Sequence, residues 1–376
     1  MDMFPRALLS TLALLVLAPS ALPQAMDSAR IYIGTYTREG GKGIYSLTLN
    51  TATGELSPPH LAAETSNPSY LALAPDRKTI YAVDESDAMA AAFRVHPDRA
   101  ELTALPGPQL AGGKAPCHLA VDHTGRTLIV VNYHTGVVAS LPILEGGALG
   151  PAASVIQHRG SSVNRERQSS PHAHSVTISA DNRFALVCDL GLDQILTYRI
   201  DAAGATLTPA EPAFTTTAPG SGPRHFAFSP DSRHAFVIAE MGGALTSYAY
   251  GAERGTLEER DTQSTLAPEF SGENKSAAVR VHPNGQFVYA SNRGPDTLAV
   301  FRFDSTSGRL TLVEIVPSGG KAPRDFALSP DGKWLVAAHQ DSNSLGVFSV
   351  NPTTGRLTPT SARAEISMPV CVLFVP

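Results

Sequence analysis

Imidazole, guanidinium and carboxylate side chains recur in short, related contexts along this chain. Two histidines stand one residue apart in Pro171-His172-Ala173-His174-Ser175-Val176. An arginine precedes an imidazole in Pro223-Arg224-His225 and a carboxylate in Pro323-Arg324-Asp325, and Cys117-His118 follows Pro116. A second set holds Asp84-Glu85, Asn132-Tyr133, Asp189, Glu240, Asn292-Arg293 and His339-Gln340. Burial and neighbouring charges tune imidazoles and carboxylates into general bases near neutral pH. Arginine keeps its charge and offers a planar fork to a carboxylate or phosphate. The two sets together point to acid–base chemistry on a small anionic ligand. Their interleaved arginines repel cations, which argues against a metal site, and no cofactor is called for. No nucleophile elbow, phosphate loop or dinucleotide fingerprint is present.

The elements that must gather these residues follow a period of about fifty residues. Seven segments share one strand pattern: 30–37, 78–85, 126–133, 183–190, 233–240, 286–293 and 333–340. Six of them follow a turn and an apolar strand, as in 68–76, 223–231 and 323–331. Pro-Asp, Asn-Gly and Asp-Gly steps between apolar runs are hairpin signals. A third strand, a turn and a fourth strand follow; that last turn repeats as 50–56, 304–310 and 351–357, with Gly54, Gly308 and Gly355 at its fifth place. The first copy lacks its preceding strand, and the chain ends on Met368 to Pro376, which is that missing strand. Six whole units and one shared between the ends predict an all-β fold. It is a seven-bladed β-propeller of four-stranded antiparallel blades, closed by pairing the C-terminal strand with the N-terminal strands.

Antiparallel pairing brings the start of each first strand and the end of each second strand to one rim. Both sets of chemical residues fall there, while the opposite rim receives turn residues such as Asp76, His123, Asp181, Asp231 and Asp331. The long insertion between Ile156 and Pro171 also reaches the first rim and carries Arg159, Arg165 and Arg167. It either folds over the mouth of the channel to draw in an anion or forms a surface loop. The bland alternative for the rim as a whole is a solvated channel entrance with salt bridges between blades.

With 29 basic and 34 acidic residues among 376, the formal charge is −5, which excludes a general nucleic-acid binder. Hydrophobic residues make up 43% and charged residues 17%, enough for a sizeable core. Three cysteines cannot form a disulfide framework and are expected as buried free thiols. Residues 1–25 read as a secretory signal peptide: Arg6, an apolar run from Ala7 to Ala18, then small residues to Ala25. The propeller is expected over 29–376, outside the cytoplasm, periplasmic or secreted, with no membrane association once the leader is removed.

Pro171–Val176 followed by Asp189-Leu190-Gly191-Leu192-Asp193, Gly222–His225 with Ala239-Glu240, and 282–294 resemble the lactonase family of seven-bladed propellers. Gly34–Thr37 and Gly160–Asn164 are similar to the family too. That family includes propeller-type 6-phosphogluconolactonases and carboxy-cis,cis-muconate cyclases, and the resemblance runs from about residue 30 to the end. It implies hydrolysis of a lactone ring, or the reverse closure. The family's proposed His, two Arg and Glu fall on His174, Arg224, Arg293 and Glu240, with His174 or Glu240 as base. Arg324 is then a third anion-binding group, and His118, Tyr133, Asp189 and Asp325 stand around the substrate to orient the base. The expected partner is a small-molecule lactone or organic acid. Export fits an unphosphorylated sugar or acid lactone better than a phosphorylated one. A non-catalytic propeller binding a small acid or a protein partner, or a muconate-type cyclase, are the alternatives.

Overall fold

The computed structural model describes residues 28–375, so the predicted leader at 1–25 lies outside the described residues. Second strands read as unbroken apolar runs because neighbouring sheets cover both of their faces. Thr127–Asn132 and Phe184–Asp189 are buried at every position. Fourth strands alternate instead: Thr256–Ser264 turns Leu257 inward and most of its charges to solvent.

Seven antiparallel sheets result, taken here as blades one to seven in chain order. Six are continuous in sequence. Blade one combines Ser28–Thr35, Gly43–Asn50 and His60–Glu64 with Pro369–Val375 from the far end of the chain. There Ile31 faces Phe374 and Ile33 faces Val372 across an antiparallel ladder. Blade two departs from four strands: Gln109–Leu110 adds a short pairing alongside Met89–Val95.

The core lies between blades. Ile31, Ile33 and Leu49 of blade one pack on Val336, Ala338 and Leu345 of blade seven, and six further clusters fill the other junctions. The turn glycines lock neighbours together. Gly355 has φ 75°, and a Cβ there would come 2.4 Å from the ring of Phe287 in blade six. Only glycine suits both the left-handed backbone and the contact. Cys117, Cys188 and Cys371 are buried free thiols.

Candidate active site

The inner strands carry an irregularity that builds the mouth of the channel. In five of them one residue has no partner in the adjacent strand: Cys117, His174, Arg224, Arg324 and Val370. A bulge of this kind re-aims a side chain. Each follows closely on a proline at the start of the strand, so one repeat position supplies one mouth residue per blade. Small or apolar groups occupy it in blades one and three, and charged or imidazole groups in blades four, five and seven.

The ends of the second strands divide their work by alternation. The first of two neighbouring residues caps the turn that follows. Asp84 accepts from the N–H groups of Ser86 and Asp87, and Asn132 donates to the Val137 carbonyl, whereas His339 bonds the Ser318 carbonyl of the loop before its blade. The next residue points to the mouth: Glu85, Tyr133, Glu240 and Arg293 all occupy this place. Strand geometry demands the split, since successive side chains leave opposite faces.

Glu240 is the centre of the site. Its Oε2 accepts from Arg224 Nε at 3.0 Å and Arg293 Nη2 at 2.9 Å, and its Oε1 accepts from Arg167 Nη2 at 2.6 Å. Arg224 also donates to the Ala277 carbonyl, and Arg293 Nε donates to the Lys275 carbonyl at 3.0 Å. Burial alone would raise the Glu240 carboxyl, but Arg293 and Arg224 override it and hold it well below the carboxylate range. Burial, then Arg293 and Arg324, push Arg224 down to about 9. Glu240 is therefore a fixed counter-ion and a poor proton acceptor.

His174 is 5% exposed, and its Nδ1 has no hydrogen-bond partner among the described residues. Burial, then the Arg224 charge, lower it well below the ordinary imidazole value, with Glu240 opposing. It is neutral at pH 7. Its ring meets Tyr133 and His225 edge-on, each at 5.5 Å between centroids. One tier deeper in the channel, His118 stacks on Tyr70 at 3.7 Å and meets His225 at 5.4 Å. Asp325 lies in that tier as well, 1% exposed, bonded by Arg280 at 2.7 Å and by the Val372 N–H at 3.0 Å.

Arg324 is a cation of the mouth without a fixed partner. No hydrogen bond or ion pair holds its guanidinium among the described residues, and it lies 5.4 Å from the Tyr36 ring. Across from it Glu85 accepts from Ser69 at 2.6 Å and Tyr36 at 3.4 Å. A cleft of about 400 Å³ opens here, lined in part by Tyr36, Lys275, Arg293, Lys321 and Arg324.

The structure thus gathers His174, Arg224, Glu240 and Arg293 with Tyr133 and Arg324. His118 and Asp325 sit beneath them. Asp189, expected beside the substrate, is corrected to a capping position: it is fully buried, with both oxygens committed. Its Oδ2 takes His158 Nδ1 at 2.6 Å, and its Oδ1 takes the N–H groups of His172, Gly191 and Leu192. Sequence reasoning left Arg167 unassigned among three arginines of the insertion. The usable signal was Asn164, a turn former whose Oδ1 accepts from the Glu166 and Arg167 N–H groups and fixes where Arg167 emerges.

Fold and site together define a propeller whose arginine-rich mouth carries a neutral imidazole. The model of the family described as "Lactonase, 7-bladed beta-propeller" matches residues 30–374, and the chain belongs to that family. It is 36% identical over 297 residues to a 6-phosphogluconolactonase of Bacillus subtilis strain 168, covering 78% of this chain and 83% of that protein. A 6-phosphogluconolactonase of Formosa agariphila is 30% identical over 307 residues, 79% and 86% of the two chains. The solved structure of a periplasmic gluconolactonase of Pseudomonas aeruginosa superposes with a TM-score of 0.88 at 34% identity, covering 93% of this chain and 99% of that one.

Proposed function

We propose that this protein hydrolyses a sugar or acid lactone outside the cytoplasm, with His174 as general base. The observation that carries the reading is the buried His174 imidazole, its Nδ1 without a partner among the described residues, beside a carboxylate held by three arginines. In this scheme His174 removes a proton from water as its oxygen attacks the lactone carbonyl. Arg224 and Arg293 stabilise the developing oxyanion, Arg324 at the cleft binds the substrate, and Glu240 stabilises the transient imidazolium. The intermediate then breaks the ring C–O bond, the alkoxide takes the proton back from His174, and the new carboxylic acid releases its proton to solvent as the open hydroxy carboxylate leaves. Membership of the lactonase family and likeness to named 6-phosphogluconolactonases support the reaction class. The leader-like N-terminus and likeness to a periplasmic gluconolactonase support an extracytoplasmic place and an unphosphorylated substrate.

The test is a pH-stat assay of the purified protein on a panel of aldonic and uronic acid lactones, with and without chelator. Turnover that persists in chelator and falls sharply in His174→Gln is the expected result. No turnover on any lactone, or a His174→Gln variant as active as the parent, overturns the reading.

A further inference from the structure

Glu240 has two oxygens, and how they are shared decides what its arginines can still do. A carboxylate pairing both oxygens with one guanidinium would consume a whole edge of that arginine. Here Arg167 occupies Oε1, and Arg224 and Arg293 divide Oε2 with one N–H each. Arg224 Nη2 and Arg293 Nη1 are left without partners among the described residues. Arg167 also donates to the Tyr133 hydroxyl oxygen at 3.2 Å, so the hydroxyl hydrogen is free for another acceptor.

Arg167 reaches Glu240 from the strap, residues 158–171, and the strap is bolted down along its length. At its start, His158 is held between Asp189 and the Tyr198 hydroxyl at 2.6 and 2.8 Å. In its middle, the Ser162 hydroxyl donates to Asp193 at 2.5 Å. Near Arg167, the fully buried Gln168 donates to the Leu190 carbonyl at 2.9 Å and accepts from the Asn164 N–H at 3.1 Å. Asp193 also accepts from the Gly220 and Gly222 N–H groups at 2.6 and 2.7 Å, directly before the strand that carries Arg224. One turn, Asp189 to Asp193, therefore ties down both the strap and the approach to Arg224.

We infer that Arg167 is a positioning residue: the strap, fixed by Asp189 and Asp193, holds it on Glu240 so that Arg224 and Arg293 keep N–H groups free for the substrate. The strap is then a permanent wall of the mouth, and the Asp189–Asp193 turn sets two of the three arginines of the cluster. The inference rests on the lactonase reading for its kinetic part only.

Two experiments test it. The first uses no substrate. Trypsin should cut slowly after Arg159 and Arg165 in the parent protein and at least tenfold faster in Asp193→Ala, with Ser162→Ala as the milder variant should Asp193→Ala fail to fold. Equal cleavage in the parent and in Ser162→Ala overturns the fixed wall. The second compares Arg167→Ala and Arg167→Lys with the parent on the best lactone of the panel. Misplacing reacting groups by about 1 Å costs about 10²-fold, so Arg167→Ala should lower kcat by about 10²-fold with less effect on KM, and Arg167→Lys should recover part of it. The groups facing His174 are Arg224, Arg293, Arg324, Glu240, Tyr133 and His225. Without Arg167, Glu240 is less compensated and favours the imidazolium, so the acid limb of kcat/KM should move to higher pH. A merely structural role would leave that limb in place. Parental kcat in Arg167→Ala, or an unmoved limb, overturns the positioning role. A parent inactive on every lactone refutes the lactonase reading, and the trypsin result alone then decides for or against the fixed wall.

Discussion

The two rims of the propeller use the same residue types to opposite ends. On the rim away from the mouth, Asp181 pairs with Arg183 and Asp231 with Arg233, at 2.7 and 2.8 Å, and Asp331 lies 3.4 Å from Lys333. Each pair belongs to one hairpin turn, each carboxylate also accepts from a serine two residues earlier, and water reaches all of them. At the mouth, Glu240 collects arginines from two other blade positions and the strap, and it is 4% exposed. On the far rim blades four, five and seven repeat one solution because these hairpins have the same turn to satisfy. The mouth breaks the repeat: equivalent bulge positions hold Cys117, His174, Arg224, Arg324 and Val370. In this repeating fold, the recurring charges satisfy their own turns, and the charges that depart from the repeat gather at the mouth.

That contrast breaks most readily at His174. A general base contributes about 10²–10⁴-fold, so His174→Gln should lower kcat/KM by about 10³-fold with unchanged circular dichroism. In the parent, burial and Arg224 keep His174 neutral, so the acid limb of kcat/KM should lie below the ordinary imidazole value of 6.5. A limb at or above that value would point to another base. Glu240→Gln probes the cluster as a counter-ion. Removing one partner of a buried charge network costs about 3–5 kcal/mol, which denaturant unfolding should register together with loss of turnover. A stable, active Glu240→Gln variant would place Glu240 among the ordinary surface pairs.

Arg324→Gln is a finer probe. A hydrogen bond to a charged group is worth about 1.5–3 kcal/mol, so KM and the inhibition constant of the product acid should rise about 10- to 10²-fold, with kcat less affected. The smallest effect belongs to the far rim. Ser229, with Arg233 after it, holds Asp231 down to about 2. Its depressed value stabilises the fold above the unfolded value of about 3.9, and that stability is lost as pH falls through about 2. Asp231→Asn should cost under about 1 kcal/mol at neutral pH and leave turnover unchanged. A large loss of activity there would erase the distinction between the rims.

The ring, its closure and the rim on which imidazoles, arginines and Glu240 gather were legible in the sequence because they rest on spacing and on the alternation of apolar and turn residues. His174, Arg224, Glu240 and Arg293 could be placed on one rim by the same logic. The role of Asp189 could not, because it depends on which of two neighbouring residues faces the turn. Glu240 follows Ala239 and takes the mouth position, whereas Asp189 precedes Leu190 and takes the capping one. Arg167 was hidden for another reason: the path of the strap is set by His158, Ser162 and Gln168 bonding to residues of blade four that lie more than twenty positions onward. Such pairings leave no period to read.

The shared blade has a consequence for how the molecule comes into being. Residues 28–35 must wait for 369–375, so their edge stays open until the whole ring of sheets has emerged from the ribosome. Such a polypeptide cannot lock into its final shape part-way through synthesis. A truncation that removed 369–375 would leave the first strand without its ladder partner.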